Sequence, residues 1–476
     1  MSGITVPTMD DFTALAARVS ALEEGAPVPV PPDPPDPPEP ITEGVQAKRI
    51  AKLIESFGVN TFSSMDGGNL WGSWPANYQP DSVIDALQFM LGDSGFAFRL
   101  REYHYSGREG MQRPWLSQIV NALPGTEVAL CVAANGGVDD VPTMLSLADD
   151  PACGVKWVEG INEANTDFGS GTIPVETTKA IQDAVWSGAR DRQIVFGPSI
   201  VAGTPHPEGW IVPTKGYFKT QADMDRINGT MDWGNGHYYP PHAPCVPNTG
   251  YSVGEYIGGL WTAYAHHQIG LTEFHPTLYA AGTLAIKRNI ARLAGRLHRR
   301  EEPIPAFKST EPRDAFYTLT TLLYTAKCGA TGVWWYALFD YGSTYECGLF
   351  PKEHASNPRQ TAVALQSLCA ICADHGDDRR TFEPGKLDVE VSGLTPATDW
   401  DCYQASNGRF LLPLWHAAED VGQGAAVQVT LRFATAKRIT VFEPLASAAA
   451  VATSDDVREI TVNLPPGVVV LEVITQ

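Results

Sequence analysis

Residues 155–168 read VKWVEGINEANTDF. A β-branched and aromatic run climbs to Asn162-Glu163 and then dissolves into small and polar residues, the profile of a buried strand running out into a loop. Taken alone, Glu163 is as well explained by a solvated acidic loop. What decides between the readings is the address of the stretch, and the flanking chain supplies it.

Apolar runs of similar length recur on both sides. They are GVNTF (58–62), FAFRLREY (96–103) and EVALCVAA (127–134) before it, and QIVFGPSI (193–200), MDWGNGHYY (231–239), IPAFKSTE (304–311) and TGVWWYALF (331–339) after it. Segments of helical periodicity, among them DSVIDALQFML, TTKAIQDAVWSGA and LAIKRNIARLAGRLHRR, separate most of them. This succession of strand–helix units predicts an α/β protein, a (β/α)8 TIM barrel over residues 44–380, with VKWVEGIN as its fourth strand. No G-x-G-x-x-G or G-K-[ST] loop follows the first run, which weakens a nucleotide-binding sheet. After about residue 380 the helices stop. KLDVEVSG, GRFLLPLWH, AVQVTLRF, RITVFEP and REITVNLPPGVVVLEVI alternate with turn residues and predict a C-terminal antiparallel β-sandwich over 381–476. Its expected role is packing on the barrel, with carbohydrate binding as the alternative.

Two N-terminal segments stand apart. In TMDDFTALAARVSALEE (8–24) Thr8 is a suitable N-cap, and Phe12, Leu15, Val19 and Leu22 form a heptad seam, so a short helix is expected within 1–26. Two heptads are marginal in water. The stripe is therefore expected to bury against copies of itself (a homo-oligomer), a host assembly, or its own catalytic domain. A Pro-rich linker over 27–43 follows, with PVPVPPDPPDPPEP at 27–40. Proline at that density favours polyproline II, a spacer of roughly 40 Å at about 3.1 Å per residue. A self-associating helix on a stiff spacer resembles the N-terminal ends of bacteriophage tail-associated proteins. That likeness implies attachment to a phage tail and a virion-associated or extracellular location.

Composition removes several function classes. The 476 residues are 43% hydrophobic and 18% charged, a globular balance, and the formal net charge is −20. Such a chain is repelled by phosphates, so nucleic acid is not an expected partner. No run of about eighteen apolar residues is present, so no membrane span is expected, and MSGITVPTMDDF lacks the basic and apolar regions of a secretory signal. Cys369 and Cys372 fall at apolar positions of AVALQSLCAICADHG, with no second pair to complete a zinc site. His266 and His267 are adjacent, about 100° apart on a helix, a poor ligand pair. No metal or cofactor is expected. Asn228-Gly229-Thr230 fits a glycosylation sequon and is read as a turn.

In such a barrel the chemistry sits where the strands end at their C-terminal side. The second run carries Arg99 and Arg101, the fourth ends in Asn162-Glu163, and the sixth ends in His237-Tyr238-Tyr239. The seventh ends in Thr310-Glu311-Pro312, and the eighth carries Trp334-Trp335-Tyr336. Glycosidic cleavage needs an acid for the leaving oxygen and a carboxylate for the charge developing at the anomeric carbon. An Asn that meets a sugar hydroxyl and aromatic rings that stack on the pyranose complete such a rim.

With GINEAN, GHYYP, STEP and GVWWYALFDYG in these positions, residues 45–375 resemble the retaining glycoside hydrolases of clan A, which are (β/α)8 barrels with an Asn-Glu acid/base on the fourth strand and a Glu nucleophile on the seventh. The family pattern Asn-Glu-Pro becomes Asn-Glu-Ala here, at Ala164. The resemblance implies Glu163 as acid/base, Asn162 as the 2-hydroxyl contact, His237 and Tyr239 flanking the nucleophile, and Trp335 flooring the sugar subsite. It also implies a second-strand arginine, for which Arg99 is the choice and Arg101 the next. Two carboxylates compete as nucleophile, Glu273 in IGLTEFHPT and Glu311 in FKSTEPRD. Counting elements favours Glu311, because it leaves no strand over and makes 241–283 an insertion. The expected function is a retaining, endo-acting glycosidase on a bacterial surface polysaccharide. The alternative is a non-catalytic, receptor-binding barrel.

Overall fold

The chain separates into two units, Met1–Thr42 and Glu43–Gln476. The computed structural model describes residues 44–62, 79–133, 136–164, 173–201, 204–205, 211–212, 222, 225–238, 268–274, 311–330, 332–340, 348–351, 357–417 and 424–475. The expected N-terminal helix and Pro-rich linker lie outside them, as do the helix expected at 284–300 and Tyr239.

The fold is mixed α/β, with a parallel sheet that accounts for at least part of a (β/α)8 barrel. Its strands are β1 (Phe57–Thr61), β2 (Arg99–His104), β3 (Val128–Val132), β4 (Val155–Ile161), β5 (Ile194–Phe196), β6 (Trp233–Tyr238), β7 (Gln268–Phe274) and β8 (Gly332–Trp335). Parallel pairings join β1 to β2 and so on in order to β6. β7 pairs with both β6 and β8, and β8 pairs with β1. Between strands lie α1 (Pro80–Leu91), α2 (Glu109–Ala122), α3 (Val141–Ala148), α4 (Val175–Ala189) and α5 (Glu311–Lys327), and α6 (Gln360–Cys372) follows β8. α1 shows why these segments are helical. Pro80 opens it, Asp81 sits in its first turn, and Gly92 closes it at φ +52°, while Val83, Ala86, Leu87 and Met90 bury one stripe.

The expectation for the seventh strand is corrected. QIGLTEF, not IPAFKSTE, lies between β6 and β8, and Glu311 is the first residue of α5. Residues 304–310 lie outside the described residues. The physical reason is legible afterwards. Pro312 cannot donate a backbone hydrogen bond, so it suits the first turn of a helix, and STEPRD is a helix start. The segment 241–283 thus contains β7 and is no insertion between strands six and seven.

One face of the sheet holds an aromatic layer of Trp157, Phe196 and Trp334 around Ala129. Trp334 meets Trp157 at 6.2 Å and Phe196 at 6.0 Å between ring centroids, both edge-on. Gly58 makes room for it, since a Cβ there would come within 2.4 Å of the indole. On α6, Cys369 and Cys372 are buried, and burial pushes the Cys372 thiol up to about 12.

The C-terminal strands are β9 (Val389–Ser392), β10 (Thr398–Trp400), β11 (Tyr403–Gln404), β12 (Phe410–His416), β13 (Val427–Phe442), β14 (Ala450–Leu464) and β15 (Gly467–Thr475). They pair antiparallel into a β-rich sheet. β12 is buried on both faces, and its residues alternate between two cores. Phe410, Leu412 and Leu414 join a core internal to the β-rich part. Leu411 and Trp415, with Val468 and Val470 of β15, join the core of the α/β part. Among the first residues of the segment expected to be barrel, Lys48 and Arg49 belong to this sheet, and Val45 and Gln46 form a separate two-stranded sheet with Lys386 and Leu387. Val45 pairs with Leu387, and Lys48 and Arg49 pair with Tyr403 and Gln404.

Candidate active site

Asn60 in GVNTF, Arg101 in FRLREY and Glu159 in KWVEGI are polar residues inside apolar runs, and all three are fully buried. Arg101 joins them. Its Nε donates to Glu159 Oε2 at 2.8 Å and its Nη2 to Glu159 Oε1 at 2.9 Å, a bidentate pair. Nη1 donates to Asn60 Oδ1 at 2.9 Å and Tyr103 Oη at 3.1 Å, and Nη2 donates again to Asn162 Oδ1 at 2.8 Å. These contacts use all five guanidinium N–H groups. A buried charge of each sign is thereby compensated, and a rigid base is set under Asn162.

The turn after β4 carries the candidate acid/base. Glu163 stands at φ +50°, in the left-handed region that side-chain-bearing residues seldom occupy. Its backbone N–H donates to Ser199 Oγ at 2.9 Å. Its carboxylate Oε1 lies 3.1 Å from His237 Nδ1, and the two side chains are 13% and 0% exposed. The carboxyl group is thus nearly enclosed and shares a hydrogen bond with an imidazole. In β6 and β7, His237 is the Cα partner of Glu273, so the backbone register sets Glu273 beside the residue that touches Glu163.

The structure brings Asn162, Glu163 and His237 together and leaves two expected residues out. Arg99 is the first residue of β2. Its guanidinium lies 4.7 Å from the Trp157 ring centroid and 3.7 Å from Glu127. Burial lowers its pKa against the pull of Glu127. It belongs to the aromatic layer, whereas Arg101, two residues on along the same face, donates to Asn162. Trp335 is 2% exposed and packed in the main core, so it offers no face to a sugar. Tyr336 is half-buried and edge-on to Phe62 at 5.6 Å, and Phe62 stacks on Tyr103 at 5.4 Å. Strand alternation sends Trp334 and Trp335 to opposite faces, and Tyr336 returns to the face of Trp334. Tyr239 and the side chains of Glu273 and Glu311 lie outside what is described.

Sequence reading missed Glu159, Asn60, Tyr103 and Ser199. For the first two a signal was available, since a charged or amide residue within a strand buried on both sides needs a partner. Ser199 carried none, because a serine after Gly-Pro reads as an ordinary turn.

No family model matches the chain, and no curated protein matches it in sequence. Solved structures of similar fold are glycoside hydrolases. AbfB, a family 51 α-L-arabinofuranosidase from Bifidobacterium longum, is 12% identical over 91% of this chain and 98% of its own, with a TM-score of 0.52. A 4-O-α-L-rhamnosyl-β-D-glucuronidase from Fusarium oxysporum is 12% identical over 93% and 99%, with a TM-score of 0.44. At these identities the first likeness speaks to the fold alone, and the second carries no argument.

Proposed function

We propose that this chain is a retaining glycoside hydrolase of the clan A type, built on a complete (β/α)8 barrel with a C-terminal β-sandwich. The observation that carries the reading is the contact of Glu163 with His237, whose backbone partner on the seventh strand is Glu273. Two carboxylate residues on strands four and seven thus flank one buried histidine, at the strand ends where such barrels do chemistry. The parallel pairings that run from β1 through β8 and back to β1 support the complete barrel.

In this mechanism Glu273, on the strand between β6 and β8, is the nucleophile. Its carboxylate attacks the anomeric carbon while Glu163 passes its proton to the leaving oxygen. Glu163, now ionised, removes a proton from water, which attacks the glycosyl ester and frees Glu273. Asn162 donates from its amide to a hydroxyl of the sugar, and Tyr336 supports the ring. His237 fixes the Glu163 carboxyl group by its short contact. The helical periodicity of residues 8–24 and the proline-rich stretch 27–40 support a bacterial surface polysaccharide as substrate, endo action and carriage on a phage particle.

Purified protein is tested against 4-nitrophenyl glycosides and against intact bacterial capsular and exopolysaccharides. Glu273→Ala is expected to lose at least about 10³-fold in kcat, with azide restoring turnover and yielding an inverted glycosyl azide. Glu163→Ala is expected to lose about 10²- to 10⁴-fold. A Glu273→Ala variant of normal activity with an inactive Glu311→Ala would return the nucleophile to Glu311. Sugar binding without turnover by any form would leave the receptor-binding barrel.

A further inference from the structure

We propose that Ser199 is the positioning residue of the acid/base turn, an inference that rests on the reading of Glu163 given above. Ser199 follows β5, is fully buried, and makes hydrogen bonds to three successive residues of another strand's loop. Its Oγ meets the Glu163 N–H at 2.9 Å and Asn162 Oδ1 at 3.4 Å, and its carbonyl oxygen accepts from the Ala164 N–H at 3.1 Å.

The direction of each bond follows from chemistry. A backbone N–H can only donate, so the Ser199 hydroxyl accepts from Glu163 and spends its single proton on Asn162. Arg101 has no acceptor atom, so the Asn162 atom that it meets at 2.8 Å is the carbonyl oxygen. Two donors on two strands therefore fix the same amide oxygen, and the Asn162 NH2 is turned away from both. Asn162 faces substrate as a donor only. The same serine braces the turn at Glu163, whose φ of +50° needs support from outside its own strand. One hydroxyl thus seconds Arg101 in orienting Asn162 and sets the aim of the Glu163 carboxyl group.

The test uses Ser199→Ala and Ser199→Cys in the full chain. Cysteine keeps the volume and bonds weakly. In crystal structures of the variants, Glu163 is expected to leave the left-handed region, while Arg101 keeps the Asn162 amide in its orientation. In kinetics, aryl glycosides with leaving groups from 2,4-dinitrophenol to phenol are compared. A misaimed acid harms the first step only for leaving groups that need a proton, so in kcat/KM, which reads that step alone, phenyl glycosides should lose about 10²-fold and dinitrophenyl glycosides less than about threefold. Equal loss across the series overturns the proposal, because it is what a merely structural serine would give. So does a variant crystal structure with the turn unchanged. If the unaltered protein hydrolyses none of the glycosides, the glycosidase reading fails by itself, and the crystal structures still decide whether Ser199 holds the turn. Should Ser199→Ala not fold, Ser199→Cys carries both measurements.

Discussion

At the scale of single residues, the site is organised by a buried ion pair. Glu159 and Arg101 are both fully enclosed, and the guanidinium that Glu159 holds is the one that orients Asn162. Removing one partner leaves the other charge uncompensated, so Arg101→Met is expected to cost about 3–5 kcal/mol of stability, read as a urea midpoint. Adding Glu159→Met to it should recover much of that loss, since apolar replacement of a whole buried pair is often neutral. Turnover should not return in the double variant, because Asn162 remains without its donor. Recovery of both together would show that the pair serves stability alone. Glu163, Asn162 and His237 were legible in the chain, because each sits at the end of an apolar run. Arg99 was chosen over Arg101 for want of a criterion. A two-residue offset on one strand face is the difference between stacking on Trp157 and holding Asn162, and only the neighbouring strands decide it.

At the scale of elements, the seventh strand shows what local pattern leaves open. LTEF and STEP are equally good strand ends, yet the first pairs with the strands of His237 and Gly332, and Glu311 of the second begins a helix. The proline by which STEP resembles a family motif also stands in the first turn of α5. Elsewhere an element is tied to its neighbours through a histidine. His104 ends β2, with Nδ1 2.8 Å from Gln112 Oε1 of α2 and Nε2 2.8 Å from Thr143 Oγ1 of α3. Burial lowers its pKa, outweighing the opposite pull of Gln112, Glu109 and Asp140. The unfolded chain takes up this proton near pH 6.5 and the folded chain only below that, so folding releases it in between. The stabilisation is complete above about pH 6.5 and is lost as pH falls through the lower folded-state value. His104→Gln should therefore flatten the dependence of the urea midpoint on pH below about 6.5. An unchanged slope would refute it.

At the scale of the whole molecule, the β-rich part and the α/β part share a core. Trp415, Leu411 and Val470 pack into the core that holds β1 and α6, and Asp374, just after α6, accepts from the backbone N–H and hydroxyl of Ser406. A chain ended at residue 380 uncovers that apolar face and deprives residues 45–49 of their partners. It is expected to lose cooperative unfolding and near-ultraviolet circular dichroism, whereas the full chain unfolds in one step. A cooperative transition at an undiminished midpoint would contradict the shared core. The strand-rich composition after residue 380 was plain in the chain. The capture of residues 45–49 was not, because two-residue strands carry no periodicity.

That capture has a consequence for how the protein is made. Lys48 is bound to Asp401 across 353 residues of chain. On the ribosome, the earliest segment of this unit must wait, unpaired, until nearly the last codons are read. Contacts so distant in sequence close late and slowly. The parallel sheet is thus synthesised in full before these partners exist, and a stalled or prematurely terminated message yields a chain whose residues 45–49 are never paired.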